Sequence, residues 1–120
     1  MVQTVGSWPQ DVDVEVMAGE PIDFTVPALD VENALVDVST WTGVAQIRRY
    51  PGAPLLGAFS LTFSGVGVRV QATGEETAAW GSWPLRAVRW DLWVTEPAED
   101  PRPLARGRVL VRSPISEVSS

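Results

Sequence analysis

The sequence predicts an all-β fold, an immunoglobulin-like or jelly-roll-like antiparallel sandwich of short strands with one short helical turn. Three observations carry that expectation. Apolar and polar residues alternate with period two along most of the chain, valine fills many of the apolar positions, and turn chemistry interrupts the runs every ~8–12 residues. That spacing leaves room for about seven to eight strands. With 120 residues, a single domain with its own core is expected.

The elements follow in order. Val12, Val14 and Val16 alternate with Asp11, Asp13 and Glu15, so one face of this segment is apolar and the other acidic. Ala18-Gly19-Glu20-Pro21 is a turn, after which Ile22, Phe24 and Val26 alternate with Asp23 and Thr25. Tyr50-Pro51-Gly52-Ala53-Pro54 breaks the chain before Phe59, Leu61 and Phe63 resume the alternation. Ser64-Gly65 then turns into Val66, Val68 and Val70, which predicts a hairpin. Gly74-Glu75-Glu76-Thr77-Ala78-Ala79-Trp80 places acids before alanines and reads as a helical turn ended by Gly81-Ser82-Trp83-Pro84. Val88, Trp90, Leu92 and Val94 form the apolar face of the next strand, with Arg89, Asp91, Trp93 and Thr95 on the other. The proline-rich segment 96–103 is a loop, and 104–112 is the closing strand. Residues 1–10 and 113–120 are expected to be arms flanking a domain at 11–112.

Composition narrows the chemistry. The chain has no His, no Cys, and nine basic residues that are all arginine. Imidazole bases, thiolate nucleophiles, zinc knuckles, Schiff-base lysines and a P-loop lysine are therefore excluded. Asp11, Asp13 and Glu15 superficially resemble a calcium site, but strand spacing lacks the tight glycine turn of a calcium loop, so a solvated acidic face is expected. No G-x-S-x-G, P-loop or dinucleotide fingerprint occurs. The expectation is a non-enzyme without metal or cofactor. No apolar run approaches the ~18 residues of a membrane span.

Charge and tryptophan suggest what remains. Residues 1–47 contain eight acids and no base, whereas nine arginines and seven acids follow from Arg48 onward. These halves could pair within one fold, or one protomer could present its acidic side to a neighbour's arginines. The net charge of −6 makes nucleic acid a poor partner. Six tryptophans stand against one tyrosine. Trp90 falls on the inward register and Trp93 on the outward one, while Trp8 lies in the N-terminal arm and Trp80 and Trp83 flank a turn. Either the fold covers them or they form a protein interface, where tryptophan is enriched. Arg106, Arg108 and Arg112 share one face of the last strand, with Arg86 or Arg89 and Asp91 as possible neighbours. Interface candidates are therefore Trp8, Trp93, Arg106, Arg108, Arg112 and Ile115.

Several short segments resemble, in their order, the small phage-structural β-sandwiches similar to the N-terminal domain of the baseplate upper protein. They are Gly19-Glu20-Pro21-Ile22-Asp23-Phe24-Thr25-Val26, Asp37-Val38 to Thr42-Gly43, Ala45-Gln46-Ile47-Arg48, Glu75-Glu76-Thr77-Ala78-Ala79, Trp90-Asp91-Leu92-Trp93-Val94 and Gly107-Arg108-Val109-Leu110-Val111. The resemblance spans roughly residues 18–115. It departs at 37–43, where Ser39-Thr40-Trp41 intrude into the expected turn. It implies a structural subunit of a bacteriophage tail, baseplate or fibre adaptor. Such a subunit would be assembled in the bacterial host cytoplasm and would sit in the virion as a homo-oligomer in contact with other virion proteins. Neither nucleic acid nor membrane is an expected partner. A capsid decoration or head-fibre base protein, and a carbohydrate- or surface-binding sandwich using exposed tryptophan, are the alternatives.

Overall fold

The computed structural model describes residues 9–29, 32, 34–50, 52–81 and 88–112. Eight strands run in the order β1 (Gln10–Asp11), β2 (Val14–Met17), β3 (Ile22–Pro27), β4 (Thr42–Arg48), β5 (Leu55–Ser64), β6 (Gly67–Ala72), β7 (Val88–Thr95) and β8 (Arg102–Arg112). One helix, α1 (Gly74–Trp80), lies between β6 and β7. The fold is all-β, as the alternation predicts.

The strands form one curled sheet in the order β1-β8-β7-β4-β5-β6-β3, with β2 also on β8. Strand β5 makes the curl. Its first half, Leu55–Phe59, pairs with β4, and its second half, Ser60–Ser64, pairs with β6. The sheet therefore folds over itself, and the inner faces of its two halves meet. Val26, Val68 and Val70 from one half and Ile47, Trp90, Leu92 and Val109 from the other belong to the same buried core. Phe24 of β3, Phe59 of β5 and Trp90 of β7 interlock edge to face across it, with ring centroids 5.4–6.5 Å apart. Such pairs add about 0.5–1.5 kcal/mol each beyond the area they bury.

Three features differ from the expectation. The sheet is mixed rather than antiparallel, because β1 and β2 both run parallel to β8. Gln10, which the sequence assigns to the arm, is already paired with Ala105. The continuous Val12/Val14/Val16 alternation is also split. Residues Val12 and Asp13 cross over Gly107, where an added Cβ would lie 1.9 Å from the Val12 carbonyl oxygen. Gly107 sits directly opposite Trp90, and the indole Nε1–H donates to that same carbonyl at 2.8 Å. Only a residue without a side chain admits this crossing.

The helix is longer and better capped than a single turn. Thr73 is its N-cap, accepting from the Glu76 backbone N–H at 3.1 Å, while the Glu76 carboxylate accepts from the Thr73 N–H at 2.8 Å. This capping box follows the T-x-x-E spacing. Thr77 is fully buried; its Oγ1 donates to the Glu20 carbonyl at 2.7 Å and accepts from the Gly19 N–H at 3.0 Å. The helix is thereby tied to the β2–β3 turn, and Trp80 packs edge-on against Phe59 at 5.6 Å.

Candidate functional site

The outward face of β4, β7 and β8 gathers the unusual side chains. Inward positions on β7 are Val88, Trp90, Leu92 and Val94, all buried. The alternate residues Arg89, Asp91 and Trp93 must then face out. Pairing places a β4 and a β8 residue beside each of them. Arg48, Arg89 and Arg108 form one row across the three strands. Gln46, Asp91 and Arg106 form the next, extended by Asp11 of β1. Val44, Trp93 and Pro103 form the third. The face thus grades from cationic through mixed to apolar over ~13 Å, four residues of strand.

Local irregularities shape this face. An extra residue in β8 opposite Leu92/Trp93 makes a bulge, so that consecutive Leu104 and Ala105 both turn inward and Pro103 falls beside Trp93. A second register shift between Ile47 and Arg48 ends the β4–β5 pairing. There the Arg48 guanidinium folds back to donate to the Ala53 carbonyl and the Gln46 Oε1, each at 2.9 Å. A groove of about 500 Å³ runs along the face, lined among others by Arg48, Tyr50, Arg89, Asp91, Trp93 and Arg106. Trp93 is 40% exposed, Val44 53% and Tyr50 58%, so large apolar surface faces water beside it.

The interface candidates divide into three groups. Trp93, Arg106 and Arg108 come together on this face. Arg112 lies at its end, where it pairs with Glu15 of β2. Trp8 and Ile115 lie outside the described residues. Sequence reasoning missed Val44, Gln46, Arg48 and Tyr50. Their alternation against Ala45 and Ile47 was available, but which strand lies beside β4 was not. The tryptophans also separate: Trp41, Trp80 and Trp90 are buried, Trp93 is exposed, and Trp83 lies outside the described residues. Trp80 therefore belongs to the core rather than to an interface.

The opposite charges of the two chain halves meet within the fold. Arg106 approaches Asp11 at 3.6 Å, Arg112 pairs with Glu15, and Arg69 bridges Asp23 at 2.6 Å. Each pair joins an acid from residues 1–47 to an arginine beyond. The carboxylate of Asp13 also accepts from the Arg108 backbone N–H at 3.0 Å. Parallel docking of β1 and β2 on β8 brings Asp11, Asp13 and Glu15 to their partners, whereas antiparallel pairing of β3 with β6 brings Asp23 to Arg69. No described acid forms an ion pair with the Arg89 or Arg108 guanidinium.

Elsewhere the polar groups are locally satisfied. The Arg69 guanidinium, through its hydrogen bonds, holds the Asp23 carboxyl below the usual carboxylate range, and Asp23 in turn raises Arg69. The Ser39 backbone N–H, donating at 2.9 Å, lowers Asp37 in the same way. Among the described residues, no group of three or more Asp and Glu is arranged to hold a metal. Comparison of the sequence with protein-family models and with curated proteins finds no match.

Proposed function

We propose that the chain is a non-enzymatic structural subunit of a bacteriophage particle, in a tail, baseplate or fibre adaptor, and that it works by assembly. The graded β4–β7–β8 face is the observation that supports assembly. An exposed indole with an apolar neighbour, rimmed by arginine, is the composition of an interface anchor. The placement in a virion rests on the ordered strand motifs of residues 18–115 and their likeness to baseplate upper domains. The mass of the recombinant full chain tests the mechanism. A defined oligomer is expected, dissociated by Val44→Asp with Trp93→Asp, two changes at exposed positions that the core does not feel. A chain that stays monomeric at every concentration overturns it.

A second reading, a carbohydrate- or surface-binding module, gains support from one observation. The fold sets Gln46 and Asp91 one row from the exposed Trp93, and planar polar groups beside an indole suit a sugar ring. Quenching of tryptophan fluorescence by glycans, without oligomer formation, would favour it.

A further inference from the structure

The row Arg48–Arg89–Arg108 has a consequence of its own. Three guanidinium-bearing side chains stand in register on adjacent strands, with Cβ atoms of direct neighbours ~4.5–5.5 Å apart. Like charges directly opposite one another destabilise a sheet. On a chain of net charge −6, such a row is not a by-product of a basic surface. Acids are within reach of β8, yet Asp11 and Glu15 go to Arg106 and Arg112, Asp13 accepts from the Arg108 backbone N–H rather than from its guanidinium, and Asp23 goes to Arg69. The Arg89 and Arg108 guanidinium groups have no ion pair among the described residues. Arg48 is held in place by the Ala53 carbonyl and Gln46. A pre-oriented arginine at one end of a row, followed by two whose guanidinium groups form no ion pair among the described residues, is an arrangement that receives oxyanions.

We infer that this row receives the carboxylates of an acidic polypeptide segment of a partner protein, lying extended along β7 with an apolar residue on Trp93. The inference rests on the assembly reading and names the partner chemistry of the same face. One observation favours a polypeptide over nucleic acid: the apolar Val44–Trp93–Pro103 row ~13 Å from the arginines matches a carboxylate and an apolar side chain four residues apart on an extended chain. Asp91, between the two rows, disfavours a second carboxylate there and so sets the register of the segment.

The test uses the full chain and three fluorescent probes followed by anisotropy. One is an extended peptide with two glutamates followed, four residues after the first, by leucine. The second replaces both glutamates with glutamine. The third is a single-stranded oligonucleotide of equal length. The acidic peptide is expected to bind with an affinity that weakens with salt, and the glutamine peptide at least about tenfold more weakly. Arg89→Glu with Arg108→Glu should abolish the difference between the two peptides. Trp93→Ala should weaken both peptides several-fold and keep that difference. Both arginines are exposed, and Arg89→Gln with Arg108→Gln serves as the variant whose thermal unfolding reports an intact fold. Equal binding of the two peptides, or insensitivity to the charge reversal, overturns the inference while the oligomer measurement still decides the assembly reading. Tighter binding of the oligonucleotide overturns the choice of a polypeptide.

Discussion

The two outer faces of the curled sheet are built from the same kinds of strand and solve their charges differently. On the β3–β6 side, Asp23 receives two bonds from the Arg69 guanidinium, at 2.6 and 2.9 Å, with Gln71 at 3.5 Å, and Thr25, Pro27, Ser60, Thr62 and Ser64 continue the face. It is polar, neutral and complete in itself. On the β4–β7–β8 side, three arginines lie abreast and Trp93 and Val44 face water. A face satisfied within one chain needs only solvent. A face with clustered like charge and exposed apolar surface gains free energy only from something outside it. That contrast, rather than any single residue, is what supports placing the proposed interface on the β4–β7–β8 side.

The largest test breaks what the two halves share. Trp90 packs against Phe24 and Phe59 and donates to the Val12 carbonyl. Trp90→Ala should cost about 3–5 kcal/mol in a denaturant titration, and it should loosen both faces together. Gly107→Ala acts on one side alone. Its methyl group would meet the Val12 carbonyl, so β1 and β2 must shift from β8 at a cost of about 1–3 kcal/mol. Hydrogen exchange should quicken in β1 and β2 while β3 and β6 stay protected.

The two hairpin turns offer a smaller contrast. The β5–β6 turn places Gly65 at φ 64°, whereas the β7–β8 turn places Ala98 at φ 67° after Pro97. Pro followed by a left-handed residue is the geometry of a type II turn, closed here by the Glu99 N–H donating to the Glu96 carbonyl at 2.9 Å. Alanine is strained in that region and glycine is not. Ala98→Gly should therefore stabilise the chain by about 1 kcal/mol, read as a higher denaturation midpoint. A neutral or destabilising result would mean that the turn does not hold this conformation.

Charge changes should be smallest and opposite in sign on the two faces. Asp23 has its pKa lowered in the folded chain by Arg69. Its contribution is then present above the ordinary carboxylate value of about 4 and is lost as pH falls through the lower folded value. Asp23→Asn should lower Tm at neutral pH, with the gap closing below about pH 4. Arg89→Gln with Arg108→Gln should instead raise Tm slightly at low ionic strength, and high salt should erase the gain. A fall in Tm at low salt would show that the arginine row is already neutralised within the chain.

Much of the architecture was legible because strand periodicity is a local property. Val68 and Val70 are buried and Arg69 exposed as their alternation requires, and Arg106, Arg108 and Arg112 share a face as predicted. The T-x-x-E spacing of Thr73 and Glu76 is just as local, but the capping box it forms came only from the structure. What escaped was non-local. The first half of β5 hides behind Tyr50–Pro54, because Leu55–Ala58 carries no alternation of its own, and its strand state comes from pairing with β4. The parallel docking of β1 and β2 on β8 joins positions about a hundred residues apart, and nothing in either segment names the other.

The candidate site follows the same division. By itself the sequence determined which residues face outward on β7 and β8, and it removed imidazole, thiol and lysine chemistry from the choices. It also supplied acids in one half and arginines in the other. Only the tertiary structure decided which arginines those acids neutralise, and so which form no ion pair among the described residues. Strand alternation is set by bonds within one segment, whereas register across a sheet is set by the packing of the whole core. That packing put Arg48 beside Arg89 and Arg89 beside Arg108.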